Sequence, residues 1–257
     1  ERILDMGVVC HFGEEITSMK KLMEQDFDAY FVGTGAPRGR DLELLGRAEV
    51  DDYIHIGIDW LSSVAFGHTT EIKGKVIVMG GGNTAMDCCR TSLRLGAESV
   101  SVVVRSAFEV MKASEWEKED AMREGIPIIN NRPPKEFVHE NGKLKGVLFE
   151  CVEPVRGEDG RLRYEPSGEP DVFIEADHVL MAIGQDNHCP WIERDLGIEF
   201  DKWDCPVLDE VTVQSDNPKV FFGGDSAFGP ENIIWASAHA HKAAISIHLM
   251  CQGKDLK

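Results

Sequence analysis

The stretch Val76-Ile77-Val78-Met79-Gly80-Gly81-Gly82-Asn83-Thr84-Ala85-Met86-Asp87 is an apolar run that breaks into three glycines and restarts as a helix. In a Gly-x-Gly-x-x-Ala fingerprint, Gly80 takes the tight turn, Gly82 lets the main chain approach phosphate oxygens, and Ala85 lets the helix pack close to the strand. Free N–H groups at the helix start, from Gly81 through Asn83 and Thr84, then face an anion. The string alone is weak, because glycine-rich turns are common. Its flanks strengthen it: Lys75 to Met79 reads as a buried parallel strand, Thr84 to Leu95 as a helix, Gly96 as its C′ residue, and Ser99 to Val104 as a second apolar strand. A dinucleotide's pyrophosphate is therefore the expected occupant of the turn, in preference to a purely structural role.

The 257 residues fit one large domain or two modest ones, and 42% hydrophobic content is ample for sizeable cores. Two are expected. A formal charge of −18 excludes nucleic acid and anionic membrane as main partners, so any phosphate site must be locally basic. The seven cysteines (10, 88, 89, 151, 189, 205 and 251) are odd in number and contain no Cys-x-x-Cys pair, which fits reduced thiols in the cytoplasm rather than a zinc or iron–sulfur site. No apolar stretch reaches the roughly 18 residues a membrane span needs, and no signal peptide opens the chain. With Glu1 first and an opening that already reads as mid-helix, the chain is expected to begin inside a larger protein.

Along the first 35 residues the pattern gives a helix tail, a strand around Val8 to Phe12, a short helix from Ser18 to Glu24, and a strand Ala29 to Val32 closed by Gly33-Thr34-Gly35. A helix near Asp59 to Val64 precedes the fingerprint. Beyond it, Ser114 and Glu117 predict a capping box and Gly125 a helix end. Asn141-Gly142 between two apolar runs predicts a hairpin, and 157 to 168 reads as a polar loop. A strand Val220 to Phe222 runs into Gly223-Gly224-Asp225, and a helix follows from about Asn232 to Met250.

The strand Val102-Val103-Val104 ends in Arg105, at the position where an NAD-preferring fold carries an acid for the ribose 2′-hydroxyl. An arginine there suits a 2′-phosphate, so NADPH is expected, with NADH as the alternative coenzyme. Lys112 and Arg132 are further candidate charges whose direction the sequence does not fix. Three more glycine-bearing strand ends stand out: Val32-Gly33-Thr34-Gly35, Ala182-Ile183-Gly184-Gln185 and Gly223-Gly224-Asp225.

In this order around the fingerprint, these motifs make the chain resemble the flavin-dependent pyridine nucleotide oxidoreductases, particularly the small (beta) chain of glutamate synthase. The resemblance rests on residues 80–88, Val104-Arg105, Ala182-Ile183-Gly184-Gln185 and Gly223-Gly224-Asp225, and it extends over essentially the whole chain. It implies an α/β fold of two Rossmann-like dinucleotide-binding domains. An NAD(P)H domain (71–206) would be inserted into an incomplete FAD domain (1–70 and 207–257). Gly35, Gly224 and Asp225 would serve FAD, with Asp225 on the ribitol and the next helix directing its positive end toward the isoalloxazine ring. Ala182 and Gly184 would line the nucleotide site. The alternative role for that helix is plain packing of Ile234, Ala238 and Ile245 on the core.

Hydride would pass from NADPH to FAD, and electrons onward to an iron–sulfur centre, an electron-accepting subunit or a ferredoxin-like protein; homo-oligomerisation is compatible with this. The family's first glycine fingerprint and its iron–sulfur cysteines belong upstream and are absent from these residues, so the isolated chain is expected not to retain FAD. The sequence also departs from the family at Ser106, where a second arginine is frequent, and at Lys112, where relatives tend to have proline. No catalytic triad or metal set stands out. Hydride transfer needs proximity and orientation more than an acid or base, so this agrees with the relay. Two rivals remain: a self-contained NAD(P)-dependent dehydrogenase and a non-catalytic nucleotide-binding subunit. Cys88-Cys89 reads as a pair of buried small thiols, and His239 and His241, two apart on a helix, face different sides.

Overall fold

The computed structural model describes residues 3–157 and 159–256. In chain order the elements are helix α1 (Met19–Met23), strands β1 (Tyr30–Val32), β2 (Arg38–Gly39) and β3 (Ile54–Ile56), α2 (Gly57–Ala65), β4 (Lys75–Met79), α3 (Asn83–Arg94), β5 (Ser99–Val103) and α4 (Glu115–Arg123). Then come β6 (Ile128–Ile129), β7 (Pro134–Glu140), β8 (Lys143–Phe149), β9 (Val152–Arg156), β10 (Leu162–Pro166), β11 (Val172–Glu175), β12 (His178–Met181), β13 (Gln185–Asp186), β14 (Val220–Phe222), α5 (Asp225–Phe228) and α6 (Ile233–Cys251). The chain forms two compact units, one continuous from Arg38 to Gln185, the other made of the segments on either side of it. The division thus falls at 37/38 and 185/186, not at the expected 70/71 and 206/207. The cause is pairing: β3 is hydrogen-bonded to β12, and Cys189, Ile192 and Ile198 share a core with Met19, Tyr30 and Val220.

The continuous unit is built on a five-stranded sheet in the order β3-β12-β4-β5-β6, parallel throughout. Both of its faces are covered, which is why the run Val76 to Met79 is apolar without alternation. Val76, Val78 and Leu180 meet Met86, Cys89 and Ala121 on one side. On the other, Ile77, Met79 and Val179 pack on Phe137, Leu144 and Phe149. Those last residues come from the antiparallel sheet β11-β8-β7, whose hairpin turns at Asn141 (φ 54°) and Gly142 (φ 76°) as the Asn-Gly signal predicts.

Two local expectations are corrected here. The stretch 157–168, whose residue 158 lies outside the described residues, is not simply a loop, since Leu162–Pro166 forms β10 and pairs antiparallel with β9. Both faces of β10 meet solvent, so it lacks the alternation that marks a strand. Nor does the predicted capping box form at α4: the side chain of Ser114 makes no cap hydrogen bond, and its hydroxyl instead donates to Asn83 Oδ1 at 3.4 Å.

In the discontinuous unit β1 and β14 pair in parallel, Tyr30 opposite Val220, over a core that includes Met19 and Phe222. Ser18 caps α1, its Oγ accepting the Lys21 N–H at 3.2 Å. The expected strand at Val8 to Phe12 is absent; these residues are exposed and have no strand to pair with. Along α6 the buried positions are His239, Ala243 and Ser246, a stripe at i, i+4 and i+7. Ile234 and Ile245, which the alternative packing role would place on the core, are instead 76% and 53% exposed. The helix is apolar on too many sides for its sequence to single out the packed one. No helix among the described residues is long and apolar enough to cross a membrane.

A cavity of about 500 Å³ in the continuous unit is lined by His55, Asp59, Trp60, Glu71, Lys73 and His178. His178 opens β12, so this cavity lies by the amino end of that strand, whereas ligands of open α/β sheets sit at carboxyl ends. His55 Nε2 and His178 Nδ1 are 3.2 Å apart, and burial lowers the pKa of both imidazoles, His178 adding repulsion at His55. Both therefore stay neutral in the fold at pH values where the unfolded chain binds protons. Stability should fall as pH drops through the unfolded value near 6.5 and level off below the folded values. Urea midpoints of His178→Gln should depend less steeply on pH between 5 and 7.5 than wild type; identical slopes would dismiss the pair as the titrating element.

Candidate functional site

Gly80 to Gly82 connect the carboxyl end of β4 to α3, and each glycine answers a different constraint. Gly80 has φ +137°, its N–H donates to Val103 O at 3.1 Å, and a Cβ there would lie 2.1 Å from Ala182 O. Gly81 accepts the Ala113 N–H at 2.9 Å, and a Cβ on it would sit 3.0 Å from Val104 and 3.2 Å from Met111. Gly82 is different. Its φ of −101° and ψ of 177° suit any residue, and a Cβ would meet nothing within 4 Å. Neither backbone strain nor packing within the chain requires glycine there.

Gly82 is the N-cap of α3, with its carbonyl accepting from Ala85 and Met86, so the helix directs its first N–H groups and its positive end at the open space beside it. Ala85 is fully buried, as close helix–strand packing demands. Asn83 Oδ1 accepts the Ser114 N–H at 2.9 Å and so ties the helix start to the loop before α4. Thr84 Oγ1 accepts from Gln185 Nε2 at 3.4 Å. Ala182 and Gly184 leave the neighbouring β12, the Ala182 N–H bonded to Met79 O at 2.8 Å and Gly184 at φ +127° with its carbonyl accepting from Arg40 N–H at 3.0 Å. Arg105, two residues past β5, is exposed and without an ionic partner among the described residues. Nine of the sequence-derived candidates (80–85, 105, 182 and 184) thus converge on the carboxyl ends of β4, β5 and β12.

The remaining three lie in the other unit. Gly35 (φ +76°) follows β1, and Gly224 (φ +66°) and Asp225 follow β14, so they leave the same ends of two paired parallel strands. A Cβ on Gly223 would lie 2.8 Å from Phe31 and 3.0 Å from His239, which explains that glycine by packing. The Gly224 N–H donates to His239 Nδ1 at 3.3 Å, and Asp225 Oδ1 accepts the Glu231 N–H at 3.2 Å. Asn232 caps α6, accepting from the N–H groups of Ile234 and Trp235, each at 3.1 Å.

Residues that sequence reasoning passed over include Tyr164, whose hydroxyl accepts the Ala107 N–H at 3.2 Å and braces the loop after Arg105. No local signal marks it, because the contact spans 57 residues. Cys88 and Cys89 are fully buried; burial raises both thiols, Cys89 to about 12, so neither is a nucleophile at neutral pH. Among the described residues no group of three or more His, Cys, Asp or Glu is placed to hold a metal.

A parallel sheet with a glycine turn, a close-packed helix and glycine-bearing exits from neighbouring strands is a dinucleotide-binding arrangement. The chain belongs to the pyridine nucleotide-disulphide oxidoreductase family, matching it over residues 5–240. It is 34% identical over 247 residues to NADPH-Fe(3+) oxidoreductase subunit beta of Geobacter sulfurreducens, a match covering 86% of this chain and 36% of that protein. To the glutamate synthase [NADPH] small chain of Escherichia coli it is 33% identical over 243 residues, 86% of this chain and 50% of that one. It therefore spans between a third and a half of these relatives. Among solved structures, Mycobacterium tuberculosis FprA in complex with NADPH superimposes with a TM-score of 0.69 over 93% of this chain and 66% of that one; at 18% identity this likeness concerns the fold.

Proposed function

We propose that the chain binds NADPH at residues 80–85 and contributes Gly35, Gly224 and Asp225 to an FAD site, as part of an oxidoreductase of the glutamate synthase small-chain kind. Together the cofactors would supply hydride transfer from NADPH to FAD and release of electrons to an iron–sulfur centre or a partner subunit. Gly82 carries the reading: a glycine required by neither conformation nor packing is explained by a ligand that needs the main chain bare. The cradle fits a pyrophosphate, because the N–H groups at the start of α3 supply donors and the positive helix end supplies field. Gly80 and Gly81 hold the turn, Asn83 fixes it to the α4 loop, and Ala182 and Gly184 leave room above β12. The iron–sulfur centre is assigned to protein outside these residues, with an electron-accepting subunit or ferredoxin-like protein as the partner. A cytoplasmic setting suits the seven free thiols.

Arg105, unpaired and at the end of β5, reads the 2′-phosphate. A hydrogen bond to a charged group is worth about 1.5–3 kcal/mol, so Arg105→Ala should weaken NADPH binding roughly tenfold or more and leave NADH nearly unchanged. Equal losses in titrations of the two coenzymes would remove this role. The relay itself is tested by anaerobic mixing of NADPH with FAD-supplemented protein. Bleaching of the flavin absorbance is the expected result; turnover of a small-molecule substrate without flavin would favour the simple dehydrogenase instead.

A further inference from the structure

Beyond the glycine turn, the carboxyl ends of β5 and β6 carry a second feature. Asn130, Asn131 and Arg132 run beside Val104, Arg105 and Ser106. The Arg132 N–H donates to Val104 O at 2.9 Å and the Asn131 N–H to Ser106 O at 3.3 Å. The side chain of Asn130 donates to the same Ser106 carbonyl at 2.9 Å. Asn131 is held at φ +57°, its carbonyl accepting the Val152 N–H at 3.2 Å and Arg132 Nη1 at 2.9 Å. Pro133 and Pro134 then fix the chain beyond Arg132, and the Pro133 carbonyl is tied to Glu150 N–H at 3.0 Å.

Within this clamp Arg132 Nε is buried with no acceptor, and no described carboxylate pairs with the guanidinium. Other arginines of the same unit are engaged: Arg90 and Arg94 bond Glu124, and Arg123 bonds Glu119. In a chain of formal charge −18, a guanidinium that is pre-positioned, half-buried and unpaired stands apart. Orphaned charged donors are costly, and buried polar groups normally have a partner. The fold supplies a reason for this one. In a dinucleotide-binding fold the strand after the glycine turn ends where the adenosine ribose would lie, and Arg132 is main-chain bonded to the residue just before Arg105.

Resting on the NADPH reading above, we infer that Arg132 is a second specificity-determining residue, donating to the coenzyme's 2′-phosphate together with Arg105. The two arginines are not equivalent. Arg105 is exposed, so its contact is screened by water and salt, whereas the guanidinium of Arg132 is half-buried and held by its Nη1 bond to Asn131 O, leaving its outer N–H groups for the phosphate.

The test is calorimetric titration of the 257-residue chain with 2′,5′-ADP and with 5′-AMP, which differ in the 2′-phosphate. Wild type should prefer 2′,5′-ADP. Arg132→Met should lose about tenfold or more for 2′,5′-ADP while 5′-AMP changes less than about twofold, and Arg132→Lys, which keeps charge but not the planar guanidinium, should fall between. Circular dichroism reports the fold; if Arg132→Met does not fold, Arg132→Lys decides, a reduced preference supporting the assignment and an unchanged one overturning it. Equal losses for both ligands in Arg132→Met would also overturn it. A wild-type chain without preference overturns the NADPH reading and this inference with it, whereas a preference that survives in Arg132→Met overturns this inference alone.

Discussion

Gly82→Asp should fold as well as wild type and lose NADPH, while Gly80→Ala should lose the fold. At Gly82 the backbone is already extended, nothing lies within 4 Å of a new Cβ, and the position is the N-cap of α3. Aspartate is a favoured N-cap that complements the helix dipole, so unfolding free energy should change by less than about 0.5 kcal/mol and in the stabilising direction. The same carboxylate would place bulk and negative charge where the pyrophosphate must approach, and NADPH affinity should drop by about 100-fold or more, some 2.7 kcal/mol. At Gly80 the situation is reversed. Its φ of +137° is a conformation for glycine, and a Cβ would lie 2.1 Å from a main-chain oxygen of β12's exit, so the sheet must shift. Strain and displacement together should cost about 4 kcal/mol or more. Urea unfolding and NADPH titration on the two variants separate the effects. If Gly82→Asp bound NADPH as wild type does, the turn would be merely structural.

The second large effect concerns Asp225. One of its oxygens holds the Glu231 N–H at 3.2 Å, and the other makes no bond among the described residues, at the carboxyl end of a parallel strand pair. Asp225→Ala should lower FAD affinity about tenfold or more and suppress NADPH-driven reduction of artificial acceptors in the FAD-supplemented protein, with NADPH affinity unchanged. Asp225→Asn keeps an acceptor for Glu231 and loses only the charge, so it should retain more flavin than the alanine variant. Flavin fluorescence titrations measure the first quantity and NADPH titrations the second. A parallel decline in both would mean that Asp225 supports the fold instead of flavin.

Much of this was legible from the sequence because the informative signals are local. Lys75 to Met79, the three glycines, the helix to Arg94 and the Gly96 C′ residue follow one another within about twenty residues, and Asn141-Gly142 set its hairpin by its own turn conformation. What was not legible depends on partners far away in the chain. Ile54 to Ile56 is three residues long, too short for periodicity, and becomes a strand because Val179 to Met181 lies beside it. Val8 to Phe12 has strand-like composition but no such neighbour. Leu162 to Pro166 forms a strand with both faces in solvent, which no alternation announces. Ser114 and Glu117 had the spacing of a capping box, but Asn83 draws the serine away. Within the candidate site, Arg105 was readable from its place after a strand. The bracing of its loop by Tyr164, and the unpaired donor of Arg132, emerge only when distant segments meet.

The insertion of one unit within the other also dictates an order of events at the ribosome. Tyr30 pairs with Val220, 190 residues later, so β1 must wait for nearly the whole chain to be synthesised, on the order of ten to forty seconds at ordinary elongation rates. The intervening unit is contiguous and needs nothing from outside to complete its sheet. Once formed, it brings its own ends together, since Arg40 N–H reaches Gly184 O at 3.0 Å. A span that as a free coil would be expensive to close then acts as a short, stiff connector, and the late strand arrives already near its mate.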